Sequence, residues 1–315
     1  MNVAFLFPGQ GSQAVGMGKD LYENFPLAKE LFAQANDALG FDIAKLCFEG
    51  PDEQLVLTAN TQPSILLVSY VAFRLLNRMP IVAAGHSLGE YSALTAAGAL
   101  SLADALRLVR LRGQFMQEAV PVGVGAMAAL IGADVARVEE YVAARQAEGR
   151  LIEIANYNSP QQLVLSGRRT DIEQAVQDLS AYKAKLLAVS APFHCSLMKP
   201  AEERLAAEID KLRFSDLQFP IYTNVEVERV TSGERAARAL KRQVSRPVRW
   251  TETIRQMIHR DRVTHFVEIG PGAVLTGLVK RIAKAEEQQV ATLNVSDTAS
   301  LTKTLETLDG ASPGL

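Results

Sequence analysis

At 315 residues, with 48% hydrophobic and 22% charged residues, the chain has a globular composition, which excludes disordered, collagenous, coiled-coil and low-complexity classes. Its 33 basic and 35 acidic side chains give a formal net charge of -2, so no global field exists to hold a nucleic acid. Two cysteines, Cys47 and Cys195, exclude a disulfide scaffold and a four-cysteine zinc site.

Met1–Gly18 carries no cation before Lys19, and the apolar run Val3–Phe7 stops at Pro8, which is not the pattern of a signal peptide. No run of about 18 apolar residues follows, so no transmembrane helix is expected, and a soluble, cytoplasmic setting is. Val3–Phe7 reads as a buried strand. Gln13 to about Ala38 reads as helical, with a break near Phe25-Pro26. A second long helix is expected from Thr61, with Thr61 as its cap and Pro63 in its first turn. Apolar residues cover most of its faces, so it should be well buried. Residues 80–85 read as a strand and Leu88–Leu100 as an alanine-rich helix. Ser101 opens the next helix, with Asp104 completing an acidic form of the capping box.

From about Val124 the rhythm changes. Ala126–Ile131, Leu151–Asn156, Gln162–Ser166 and Ala184–Val189 read as strands, the middle two around a turn at Asn158-Ser159-Pro160, and Asp134–Gln146 and Thr170–Tyr182 as helices. The order is β-α-β-β-α-β, the ferredoxin-like pattern, and suggests a small domain inserted in a larger one. The larger unit resumes with a helix from about Leu197, a strand at Pro220–Thr223, a helix near Thr253–His259 and a strand at Thr264–Ile269. Strands alternating with helices imply an α/β fold with a mostly parallel sheet. Gly310–Leu315 reads as a frayed tail.

Gly85-His86-Ser87-Leu88-Gly89 matches G-x-S-x-G, the nucleophile elbow, with an apolar strand before it and a helix after it. Its glycines remove Cβ atoms where a tight turn would clash. Ser87 at a helix N-terminus meets free N–H groups that favour developing negative charge. The competing reading is a glycine-rich turn with a capping serine.

A serine nucleophile needs a base. Of the four histidines, His86 lies inside the elbow, His259 sits on a charged helix end and His265 starts a strand. His194 lies downstream in the loop 190–196, in the serine-then-histidine order of hydrolases, and is the candidate base. The nearest acid in sequence is Glu202, in the following helix, so a Ser–His dyad with the histidine oriented by a backbone carbonyl is the simpler expectation.

At 100° per residue, the helix opened by Ser101 places Leu102, Ala105, Leu106, Leu108, Val109, Phe115 and Met116 on one arc, with Arg112 near its centre. A buried guanidinium keeps its proton and needs an anion. That anion is either a structural salt-bridge partner or a substrate carboxylate held by two hydrogen bonds. Gly9-x-Gly11-x-x-Ala14 is similar to a dinucleotide fingerprint, but the region that should hold its second strand reads as helical. Gly270-Pro271-Gly272 reads as a structural strand-to-helix turn. Lys241, Arg242, Arg246 and Arg249 form a basic cluster, ordinarily a solvated face.

Taken in order, Phe7–Gln13, Gly85–Glu90, Arg112-Gly113, 125–128, Ala191–Met198, Gln243 with Pro247-Val248-x-Trp250, and Glu268–Gly272 resemble the malonyl-CoA:acyl carrier protein transacylase family. The resemblance runs from about residue 3 to 280. It implies a hydrolase-like core, 1–123 and 190–315, carrying the ferredoxin-like insert at 124–189. It implies Ser87 as the nucleophile that takes the malonyl group and His194 as its base, later the acid for the leaving thiol. Gln10 and the backbone N–H of Leu88 would form the oxyanion hole. Arg112 would pair with the free malonyl carboxylate, with Phe193 and Met116 also at the substrate. The Gln243 carbonyl would orient His194. The substrates would be malonyl-CoA and the phosphopantetheine thiol of acyl carrier protein, as in fatty acid biosynthesis. No metal, redox cofactor, nucleic acid or membrane would be involved, and the protein would be a monomer. The basic cluster, with Lys183 and Lys185, would offer an acidic carrier a local patch. Rival readings are a serine hydrolase or thioesterase, a non-catalytic carrier-docking module, and a relative serving malonate decarboxylation or a polyketide synthase.

Overall fold

A computed structural model describes residues 1–187, 189 and 191–310. The expected tail beyond Gly310 therefore lies outside the described residues. The strands are β1 (Val3–Phe7), β2 (Val82–Gly85), β3 (Gly125–Ile131), β4 (Ile152–Ser159), β5 (Gln162–Arg168), β6 (Lys183–Leu186), β7 (Ile221–Tyr222), β8 (Arg229–Val230), β9 (His265–Ile269) and β10 (Ala291–Val295).

Six of them form one sheet in the order β10-β9-β1-β2-β7-β8. All of its pairings are parallel except β7 with β8. The central strands are buried runs of apolar residues, as helix-covered parallel strands are. Phe7 pairs with Gly85, and Ala84 with Tyr222. The carboxyl ends of β1, β2 and β7 therefore open on one edge, where doubly wound sheets bind their ligands.

The other four strands form an antiparallel sheet in the order β4-β5-β3-β6. Helices Val135–Ala147 and Arg169–Asp178 complete the βαββαβ succession. This sheet has its own apolar cluster, including Leu130, Val138, Ile152, Leu165 and Ile172. Val248, which lies outside this sheet, bonds through its backbone to Ala155 and Tyr157 of β4.

Several boundaries differ from expectation. Gln13–Gly18 is not helical: Gly16 and Gly18 take φ of 97° and 77°, and helices form only at Lys19–Asn24 and Pro26–Leu39. The buried helix runs Thr58–Leu76 and begins one turn before Thr61. Leu57 is its cap residue, and the Thr61 hydroxyl instead donates to Leu55 O at 2.6 Å. Pro63 thus sits beyond the first turn, where it removes one helical hydrogen bond. The hairpin turn falls at Pro160-Gln161, leaving Asn158 and Ser159 in β4. The strand expected at Ala184–Val189 is observed at Lys183–Leu186, and Ala188 lies outside the described residues.

Helices Leu88–Ala96 and Leu102–Glu118 follow the expected elbow and cap, with Ser101 Oγ accepting from Asp104 N at 3.1 Å. Gly113 lets the Leu102–Glu118 helix touch the Thr58–Leu76 helix: a Cβ there would lie 2.6 Å from Ala59 Cα. No helix among the described residues is long and apolar enough to cross a membrane.

Candidate active site

Ser87 caps the Leu88–Ala96 helix at the end of β2 with φ 53° and ψ -109°, a strained conformation for a side-chain-bearing residue. The turn exists because its glycines carry no side chain. A Cβ on Gly85 would lie 1.8 Å from Gly89 O, and one on Gly89 would lie 2.0 Å from Phe7 O. The strain is held in place from the side: Ser87 N donates to Asn224 Oδ1 at 2.7 Å, and Asn224 Nδ2 donates to Gly85 O at 2.7 Å.

Ser87 Oγ lies 2.7 Å from His194 Nε2. His194 is also bent, at φ 60°, and its Nδ1 lies 3.0 Å from Gln243 O and 3.1 Å from Arg246 O. Two carbonyls can only accept, so the proton is on Nδ1 and Nε2 is free to receive one from serine. Burial first, and then the Arg112 charge, push the imidazole down to about 3, so it is neutral at physiological pH. Among the described residues no carboxylate bonds to His194. Glu202 instead pairs with Lys199.

Arg112 is 1% exposed. Its Nη1 donates to Gln62 Oε1 at 2.8 Å, and its Nη2 to Gln243 Oε1 at 2.9 Å and to Ser87 Oγ at 3.2 Å. The guanidinium lies 5.3 Å from the Tyr91 ring centroid, and its Nε has no hydrogen-bond partner among the described residues. Among the described residues no carboxylate hydrogen-bonds to this buried cation: its acceptors are the neutral Gln62, Gln243 and Ser87, and the Glu90 carboxyl acts on it only from further away.

A cavity of about 120 Å³ joins these groups. Gln10, Ser87, Leu88, Arg112, Met116, Phe193 and His194 all line it. Gln243 stands behind it, its side chain on Arg112 and its carbonyl on His194. Gln10 Nε2 bonds to Thr58 Oγ1 at 3.3 Å. Leu88 is the first helical residue, so its N–H has no intrahelical acceptor. All the site residues expected from sequence thus fall on one cavity or directly behind it.

Sequence reasoning assigns no site role to Asn224, Gln62, Asn156, Leu187 and Val189, and shows Glu90 and Met127 only as parts of motifs. Glu90 had a readable signal, as the one charged residue of the Leu88–Ala96 helix. Of the remaining histidines, His86 also lines the cavity, but its ring is held by Asn158 at 2.8 Å and packs on Trp250; His259 pairs with Glu286 and His265 contacts Thr264 Oγ1 at 2.8 Å. Glu268 accepts from Leu275 N and Thr276 N, so the Gly270–Gly272 turn serves a helix start.

The Acyl transferase domain family matches residues 4–307. The malonyl CoA-acyl carrier protein transacylase of Escherichia coli K12 is 46% identical over 286 residues, 89% of this chain and 92% of the relative. The chain belongs to this transacylase family. The Bacillus subtilis transacylase is 44% identical and covers 97% of both chains. A malonyl-transacylase solved in complex with a type II PKS acyl-carrier protein superposes with a TM-score of 0.92 at 44% identity, over 98% of this chain and 100% of that one. The transacylase from Coxiella burnetii gives 0.93 at 41% identity over 98% of both chains. Of the segments that carried the resemblance in sequence, those at the ends of β1 and β2, at Met127, and at Arg112, His194 and Gln243 converge on the cavity, and Glu268–Gly272 does not.

Proposed function

We propose that this transacylase moves a malonyl group from malonyl-CoA to the phosphopantetheine thiol of acyl carrier protein, through an ester on Ser87. The observation that carries the reading is that one hydroxyl, Ser87 Oγ, meets both a neutral imidazole at 2.7 Å and, at 3.2 Å, a buried guanidinium whose hydrogen bonds all go to neutral acceptors. The imidazole is what an acyl-accepting hydroxyl needs, and the guanidinium is what a carboxyl-bearing acyl group needs.

In the first half-reaction, Ser87 Oγ attacks the thioester carbon of malonyl-CoA and its proton passes to His194 Nε2. The carbonyl oxygen becomes an oxyanion held by Gln10 and the Leu88 N–H, where each donor contributes roughly 3 kcal/mol of transition-state stabilisation. The C–S bond then breaks, and the CoA sulfur takes the proton from His194. In the second half the carrier thiol gives its proton to His194, attacks the ester carbon, and Ser87 Oγ leaves with the proton returned. Arg112 holds the malonyl carboxylate throughout and keeps the acyl group out of line for hydrolysis. Phe193 and Met116 close the wall around the methylene. Every proton and charge in this scheme is handled by these side chains and backbone groups, so the scheme needs no metal or redox cofactor and a single chain suffices.

The insert, 124–189, is read as a subdomain that closes one side of the cavity through Met127 and Asn156, and with Leu187 at its end. For carrier docking the patch narrows. Lys241 pairs with Asp210, Arg242 with Glu226 and Arg249 with Glu252, whereas Arg246 is exposed in the cluster and Lys183 and Lys185 are exposed on the strand that leads into the cavity wall. The test of the function is product analysis with malonyl-CoA and phosphopantetheinylated carrier. Malonyl-carrier should form, dependent on Ser87. Free malonate released faster than malonyl-carrier would make the protein a hydrolase instead.

A further inference from the structure

Behind the cavity lies a ring of hydrogen bonds with Glu90 at its hub. Glu90 is the third residue of the Leu88–Ala96 helix and is 1% exposed. Its Oε2 accepts from Gln243 Nε2 at 2.8 Å and from the backbone N–H of Asn224 at 3.2 Å. Each of those partners reaches the nucleophile from a different side. Gln243 Nε2 also donates to Ser87 O at 2.8 Å, and Asn224 Oδ1 accepts from Ser87 N at 2.7 Å. Both peptide groups that flank the Ser87 side chain are therefore tied, through one intermediary each, to one carboxyl oxygen.

The same oxygen decides how the Gln243 amide faces. Its Nε2 has two hydrogens, and Glu90 Oε2 and Ser87 O take both. Its Oε1 is left to accept from Arg112 Nη2 at 2.9 Å. The flipped amide would set N–H against the guanidinium and oxygen against two acceptors, which the buried site cannot satisfy. Because two N–H donors converge on Oε2, a proton on this carboxyl resides on the other oxygen, and Oε2 accepts in either state. Burial pushes the Glu90 carboxyl up to about 7, against the hydrogen bonds that pull it down.

We infer that Glu90 is a positioning residue of the transacylase: its Oε2 holds the Gln243 amide and Asn224, and through them the Arg112 guanidinium and the strained Ser87 peptide. What the site requires of Glu90 is an acceptor oxygen at this reach, not its charge. The inference rests on the proposed acylation of Ser87 and on the carboxylate role of Arg112.

Two conservative variants separate reach from charge. E90D keeps the carboxylate and withdraws the oxygen by one methylene. E90Q keeps an oxygen in place and removes the charge. Acylation of Ser87 by malonyl-CoA and by acetyl-CoA is followed by intact mass in wild type and both variants, with thermal melts as the folding control. E90D should lower the malonyl-to-acetyl ratio about tenfold, because displacement of Arg112 harms only the carboxyl-bearing substrate, while E90Q should stay within about threefold of wild type. A residue that only supports the fold would lower both acylations together and leave the ratio unmoved, and that result overturns the inference. So does E90Q falling as far as E90D. A wild-type protein that takes no label at Ser87 overturns the proposed function instead.

Discussion

The guanidinium of Arg112 donates to the hydroxyl of Ser87 at 3.2 Å, a charged donor on the residue that also touches the imidazole. A cation there favours negative charge at the serine oxygen but cannot itself take its proton. Its remaining bonds go to Gln62 and Gln243, so an incoming carboxylate gains a partner without displacing an existing ion pair.

Replacing Arg112 tests the carboxylate role. Hydrogen bonds to a charged group are worth about 1.5–3 kcal/mol, so R112A should lower kcat/KM for malonyl-CoA by about 10²-fold. Acetyl transfer should hold or rise. R112K should recover little, because a point charge does not reproduce the fork. Unchanged malonyl transfer without a rise in acetyl transfer would remove Arg112 from substrate binding.

The pH dependence follows from His194. Its folded-state pKa is lowered from 6.5 to about 3, by burial first and Arg112 second. The imidazole therefore stays neutral far below its ordinary range, and if it is the base proposed for Ser87, the rate of acylation should show no loss centred at pH 6.5. A stability effect accompanies it. In the window between 6.5 and 3 the unfolded chain binds the proton that the folded one refuses. Stability is thus present above 6.5 and lost as pH falls toward 3, by up to about 1.4 kcal/mol per pH unit. Urea midpoints across that window, compared with H194N, measure the difference. Identical slopes would show that His194 titrates normally.

The close approach at Gly113 couples packing to the site. A Cβ there meets Ala59 Cα and Thr58 O at 2.6 Å, and the neighbouring residue is Arg112. G113A should destabilise the fold by about 1–3 kcal/mol, as overpacking does. It should also lower the malonyl-to-acetyl ratio by shifting Arg112. Urea titration and acylation assays read the two effects separately, and a neutral substitution in both would show that the helices separate freely.

Carrier docking is tested by charge reversal. K183E with K185E should raise KM for the acidic carrier and flatten its salt dependence, leaving KM for malonyl-CoA alone. K241E should do less, because Lys241 is already paired with Asp210. Equal effects, or none, would move the docking face elsewhere.

Much of this was legible before the fold was known, for identifiable reasons. Ser87 announces itself because an elbow needs glycines at fixed offsets. Arg112 does so because a charge centred on an apolar arc is costly without a purpose. His194 emerged only by elimination and chain order, since nothing local marks a loop histidine as a base. Asn224 carries no signal in the sequence, and Arg246 is legible only as one member of a basic cluster, not as a carbonyl that meets His194. They reach the site because β7 pairs beside β2 and because the loop after the Gly233–Gln243 helix crosses behind His194, and such pairings are decided by packing between distant segments. The start of the Thr58–Leu76 helix was misplaced for a related reason: the Thr61 hydroxyl, read as a cap, is spent on Leu55 O.

The most direct measurement is the intact mass of the protein after brief exposure to malonyl-CoA, with S87A in parallel. The account requires the wild-type chain to gain the mass of one malonyl group, located at Ser87, to lose it on addition of phosphopantetheinylated carrier protein, and S87A to gain nothing. A wild-type chain that remains unmodified while malonyl-carrier still accumulates, or an S87A chain that is labelled as fully as wild type, would contradict it.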